Sequence, residues 1–239
     1  MRPESKRFKR TFTFAFTGVA VLAAILCANP VSAQPLNSYC GSLTNGYGPY
    51  DYRTDQDKLP IVLTTHFTPE VEALIKGHTT AAPGGDIDYT LRAIPNNHRA
   101  LMAMAKLGEK EKTNQPRESR YTIECWFERA VSFRPDDGVV RMIYSTYLNG
   151  RGRNADATKQ LQLATAYAKD NPFTHYNIGL HYFDMKAYDR ALIQAHKAIA
   201  LGFTRMELRD KLQTLGKWTE PATLPDTASS DTAPVDPIK

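Results

Sequence analysis

The chain carries few of the groups that do chemistry. Three cysteines in 239 residues are too few for a disulfide-dense small domain, and no CxxC pair marks a redox or zinc site. A serine-hydrolase elbow, a phosphate-cradling loop and a dinucleotide glycine pattern are all missing. Gly84-Gly85 follows Pro83 and reads as a turn. Of the six histidines, His175 and His181 are six apart, on different helical faces, whereas a helix-borne zinc pair needs a spacing of four. His66, His78, His98 and His196 have no ligand partner at motif spacing. Asp51, Asp55 and Asp57 cluster, as do Asp86 and Asp88, but neither group has the glycine and terminal glutamate of a calcium loop. Both read as solvated loops and caps. Metal, cofactor and catalytic residues are therefore not expected.

A real excess of charge is also lacking. The chain has 30 basic and 25 acidic side chains, a net +5. Five of the bases (Arg2, Lys6, Arg7, Lys9, Arg10) and one acid (Glu4) fall in residues 1–33. That segment reads as a secretory signal: a basic start, an apolar run from Phe12 to Ala28, and small residues at Val31-Ser32-Ala33. Cleavage after Ala33 leaves 25 bases and 24 acids, a net +1. A nucleic-acid partner is not expected, because phosphate binding needs clustered cations. The expected location is periplasmic or secreted. The competing reading keeps residues 12–28, close to spanning length, as an inner-membrane anchor, and only then is membrane association expected.

After processing, Cys40 and Cys125 remain. In an oxidising compartment they are expected to pair, closing a loop of 85 residues. Two buried free thiols are the alternative. Residues 34–95 form an N-terminal arm with short helices. Gly41, Gly46, Gly48 and Pro49 interleave with Tyr39, Tyr47, Tyr50 and Tyr52 in an irregular stretch. Ile61-Val62-Leu63-Thr64-Thr65 has strand character. Thr68-Pro69 starts a helix with Val71, Leu74 and Ile75 on its apolar face and Gly77 as its stop. Asp86 caps a further short helix through Ala93.

From residue 96 the pattern is helix-turn-helix, with a period. Gly138–Asn171 spans 34 residues and Pro172–Thr204 one fewer. At that offset Leu148 meets Tyr182, Ala157 meets Ala191, and Ala164 meets Ala198. A period of this length signals stacked helix pairs, which cannot bury their apolar faces alone. Residues 96–137 read as a third, degenerate pair whose surplus lies in the turn between helices, where insertions cost little. Residues 205–218 read as a capping helix with Leu208 and Leu212 on one side. Residues 219–239, rich in Pro, Thr, Ser, Asp and Ala, are expected to be disordered.

The second unit resembles the tetratricopeptide repeat. Its residues 175–183 look like that motif's first helix, with Gly179 where paired helices approach and Tyr182 filling the gap. Residues 187–191 look like its turn and second-helix start, and Ala198 like its second small contact. The first unit matches more loosely through Tyr144, Leu148, Ala157, Leu161 and Ala164. Asn149-Gly150-Arg151-Gly152 is similar instead to the related Sel1-like repeat. The family's inter-repeat proline appears as Pro135, while Lys169 and Phe203 stand at the later equivalents. The resemblance, over residues 96–217, implies an all-α chain: a short right-handed helical solenoid flanked by the irregular segment and the disordered tail.

It also implies a partner groove lined by the first helix of each pair, here Val139, Met142, Thr146, Phe173, Tyr176, Asn177, Leu180 and Phe183. Asn177 matches a position where some members hold a peptide carboxylate, but the equivalent one pair earlier is Ile143 and no matching cation set accompanies it. An apolar groove for a helix or extended segment fits better; packing of these side chains on the chain's own neighbours is the competing reading. The expected function is a scaffold binding another envelope protein or peptide segment. The alternative is an envelope enzyme or glycan-binding protein whose site lies in residues 34–95, with Asp86, His66 and His78 as the residues to test.

Overall fold

A computed structural model describes residues 38–221. The segment expected to be a signal, residues 1–33, and all but the first three residues of the expected tail at 219–239 lie outside the described residues. Among those described, the chain is all-helical and contains no strand. After a 3-10 turn at Ser38–Cys40 come ten helices. They are α1 (Pro60–His66), α2 (Pro69–Glu72), α3 (Pro83–Ala93), α4 (His98–Glu111) and α5 (Ile123–Phe133), then α6 (Gly138–Gly150), α7 (Asn154–Ala168), α8 (Pro172–Asp184), α9 (Tyr188–Ala200) and α10 (Glu207–Thr214).

The segment expected to be a strand is helix α1. Its β-branched residues disfavour a helix only weakly, and packing overrides them. Val62 and Leu59 are buried with Ala93 and Ile94, and Tyr47, Tyr50 and Tyr52 pack around them. The Thr64 hydroxyl bonds back to the Pro60 carbonyl at 2.8 Å, a local bond that helices tolerate. Helix α2 is shorter than expected and ends well before Gly77. Leu74 adopts a left-handed φ of 59°, which turns the chain while its side chain stays buried in the main core.

The start of α3 also differs from expectation. Pro83 occupies its first turn and Ala82 is the N-cap, so Asp86 lies inside the helix rather than capping it. Asx caps do open the first helix of each later pair. Asn97 accepts from Ala100 N at 3.1 Å, Asp137 from Val139 N and Val140 N at 3.1 and 3.2 Å, and Asn171 from Thr174 N at 3.0 Å. Each satisfies amide groups that the helix itself leaves unpaired. The caps at 137 and 171 stand one 34-residue period apart.

Helices α6 and α7 form one hairpin across Arg151–Arg153, and α8 and α9 another across Met185–Ala187. The first helices touch in series, α4 on α6, α6 on α8 and α8 on α10. The apolar interior divides at α6. Val140, Tyr144 and Leu148 join the core built by α2 to α5, and Met142 joins the core of α7 to α10. Gly179 allows a close approach: a Cβ there would lie 2.5 Å from Leu208 Cδ2 on α10 and 3.3 Å from Gln194 Cβ on α9.

Candidate functional site

The eight residues expected to line a groove lie on α6 and α8 in unequal exposure. Val139 is 41% exposed and Phe173 59%. Met142 and Tyr176 are buried. The exposed Thr146 accepts or donates at 3.2 Å to His181 Nδ1, tying α6 to α8, and its hydroxyl also reaches the Met142 carbonyl at 3.2 Å. Burial pushes the His181 imidazole below its ordinary value, the nearby Asp184 opposing. The Asn177 amide donates to the Phe173 carbonyl at 2.7 Å, within its own helix. Leu180 and Phe183 are half-buried at the edge of the second core, Phe183 edge-on to Tyr188 at 5.4 Å.

Tyr176 is covered by the chain itself. Its ring lies 4.5 Å from that of Phe203, and its hydroxyl donates to Glu207 at 3.3 Å. Burial and the Glu207 carboxylate both raise the phenol. Phe203 also approaches Phe173, at 6.2 Å. Phe203 was the residue missing from the expected set; its signal in the sequence was a bulky aromatic where the repeat pattern has proline. The apolar surface left outside is therefore narrower than the sequence pattern implied, with Val139 and Phe173 as its most accessible members.

A second constellation fastens the arm. Cys40 and Cys125 form a disulfide with Cα atoms 5.0 Å apart. One turn further along α5, the buried Arg129 donates to the carbonyls of Cys40, Gly41 and Ser42 at 2.9, 3.4 and 2.7 Å. Its guanidinium sits 5.0 Å over Tyr121 and 5.4 Å over Trp126, a packing that suits a weakly hydrated planar cation. Burial lowers the affinity of this guanidinium for its proton, partly offset by Tyr121.

Asp57 lies exposed in a loop as expected, but Asp51, Asp86 and Asp88 are buried. Asp51 is 2% exposed. It accepts from Arg53 Nη2 at 3.0 Å, Arg134 Nε at 2.6 Å and Asn96 Nδ2 at 2.7 Å. Asn96 also donates to Asp137 at 2.9 Å, and His98 Nε2 lies 2.9 Å from the same carboxylate. Burial alone would raise both carboxyls. For Asp51 the bonds from Arg53, Asn96 and Arg134 outweigh it, and for Asp137 those from His98, Asn96 and Val140 N do, so both stay below the usual range.

Asp86, from the alternative site, is fully buried. It accepts from the backbone N–H groups of His78, Thr79 and Thr80, from the hydroxyls of Thr79 and Thr80, and lies 3.0 Å from His66 Nδ1. Burial would raise its carboxyl, but those donors hold it well below the usual range. The arrangement folds the 78–80 turn around a buried carboxylate. His66 stacks on Tyr89 at 4.0 Å and shares its Nδ1 with the Thr79 hydroxyl at 3.0 Å. The structure thus joins His66 to Asp86, whereas His78 contributes its backbone and exposes its side chain. An acid-base dyad is a chemical capacity of such a pair.

Among the described residues no group of three or more His, Cys, Asp and Glu side chains converges as a metal site, and no helix is long and apolar enough to cross a membrane. No protein-family model matches the chain, and no curated protein and no solved structure matches it.

Proposed function

We propose that this chain is an exported scaffold built as a short right-handed tetratricopeptide-type solenoid, which binds a peptide or helical segment of another envelope protein. The observation that carries this reading is the coincidence of the 34-residue period with the two hairpins α6–α7 and α8–α9. A repeated helix pair presents a continuous surface from its first helices. Gly179 packs against Leu208 of α10 and Gln194 of its paired helix α9, a small residue at a helix crossing that supports the repeat reading. The disulfide supports export, since such bonds persist in oxidising compartments. Docking would centre on Phe173 and Val139, the accessible apolar side chains of α8 and α6.

The test is site-specific photocrosslinking in the native cell envelope. A photoreactive residue at Phe173 is expected to capture one discrete envelope protein. The same residue at Ile193 on α9, which is 62% exposed, is expected not to capture it. Equal capture at both positions, or none at Phe173, defeats the reading.

A second reading puts an enzymatic or glycan-binding site in residues 34–95. The observation favouring it is the His66–Asp86 pair at 3.0 Å. His66→Ala is expected to abolish an envelope phenotype under this reading while leaving crosslinking at Phe173 intact.

A further inference from the structure

The turn between α4 and α5 runs from Lys112 to Thr122, eleven residues where the two later pairs use three. This insertion forms one wall of a cleft. One lobe, about 520 Å³, is bounded by Glu109, Lys112, Thr113 and Asn114 on one side and Tyr147 and Arg151 on the other. A second lobe of about 370 Å³ shares Asn114, Tyr147 and Arg151 with it and continues to Glu124 and Arg153. Insertions in repeat proteins map to loops on one face, often the face that binds.

The wall is fixed before any ligand arrives. Thr113 N bonds to the Gly108 carbonyl at 2.9 Å, Ile123 N to Asn114 O at 2.8 Å and Arg120 N to Asp88 at 2.7 Å. Such preorganisation lowers the ordering cost of binding. Arg151 is held in place as well: its guanidinium lies 5.0 Å over the Tyr147 ring and donates to Asn114 Oδ1.

Charge decides the ligand. Arg153 is already neutralised by Glu124 at 2.6 Å and Asp156 at 2.8 Å. Among the described residues Lys112 and Arg151 make no ion pair, and with Glu109 on the same wall the lobe they face keeps one positive charge in excess. A guanidinium fork is suited to planar carboxylates. The two adjoining lobes are larger than a single small ion requires, and the Asn114 side-chain amide nitrogen and the Glu109 carboxylate offer a donor and an acceptor to an extended backbone. We infer that this cleft binds an extended acidic peptide segment, with side-chain carboxylates on Lys112 and Arg151. The cleft uses Tyr147 at the C-terminal end of α6, and the inference stands apart from docking at Val139 and Phe173.

Fluorescence anisotropy with a labelled, C-terminally amidated hexaglutamate peptide and the purified protein tests it. Lys112→Gln with Arg151→Gln is expected to weaken binding about tenfold, as two exposed charge pairs allow. Hexaglutamine is expected to bind at least as weakly to the unaltered protein. Lys186→Gln with Arg190→Gln removes equal charge at the α8–α9 turn and is expected to leave hexaglutamate binding unchanged, as is Phe173→Ser. Equal weakening by both charge-removing pairs, no weakening by the first, or no binding to the unaltered protein overturns the inference. Loss with Phe173→Ser alone would place the peptide on the α6–α8 face instead.

Discussion

The Arg129 guanidinium donates to the backbone carbonyl of Cys40 at 2.9 Å, while the sulfur of that same Cys40 is bonded to Cys125, one helical turn before Arg129. Helix α5 therefore grips the arm twice at one point, covalently and through a buried cation. The disulfide restricts the unfolded chain, and the arginine satisfies the buried Cys40 carbonyl, which would otherwise lack a donor.

The two grips should couple. Replacing both cysteines by serine is expected to cost about 2–4 kcal/mol. Arg129→Met is expected to cost about 3 kcal/mol, because several carbonyls lose their donor. Urea unfolding of the single and combined variants gives the interaction energy. A combined loss that differs from the sum is the expected outcome, since both changes release the same residues 40–42.

Asp137 ties three parts of the chain together, so its loss should be severe. Asp137→Ala removes the α6 cap, leaves His98 without its acceptor and leaves Asn96 with Asp51 alone. A loss of about 3 kcal/mol or more is expected. Asp137→Asn keeps an oxygen for the cap and should cost less. Thermal and urea melts of the two variants measure the difference.

Stability should fall in acid. The folded-state values of Asp51, Asp86 and Asp137 all lie below the ordinary one, which is about 3.9. The unfolded chain therefore takes up protons first as pH falls. Their contribution is complete above about pH 4 and is lost progressively as pH drops below it towards the folded-state values. Urea midpoints measured between about pH 6 and 2.5 should decline in the acid part, and Asp51→Asn should flatten that decline.

The close approach at Gly179 makes a further prediction. Gly179→Val would force its Cβ to within 2.5 Å of Leu208 Cδ2, displacing α10 from α8. Overpacking of this kind costs about 1–3 kcal/mol. Trp218, half-buried against the same core and 4.9 Å from His196, should report it. A red-shifted Trp218 fluorescence with the helical signal retained is expected, read in a Trp126→Phe background.

Much of the fold was legible because its information is local. The spacing of Leu148, Ala157 and Ala164 against Tyr182, Ala191 and Ala198 needs no knowledge of distant residues; the Asx caps before α6 and α8 lie on the same period but emerged only with the structure. The arm was read less well. A five-residue apolar run does not distinguish a strand from a short buried helix, and α1 was decided by its contacts with Ala93 and Ile94. The candidate groove was legible as a stripe, but which of its members stay outside was not. Phe203 and Glu207, roughly 30 residues later, close over Tyr176.

By itself, then, the sequence determined the helix pairs and their period, both properties of spacing and residue type. Only the tertiary structure decided where charge is buried. Asp51 finds Asn96 and Arg134 at separations of 45 and 83 residues, and Arg129 finds the carbonyls at 40–42 from nearly 90 residues away. A carboxylate or guanidinium carries no mark of its burial along the chain. Its surroundings, and with them its cost and its role, exist only once distant segments have converged to solvate it.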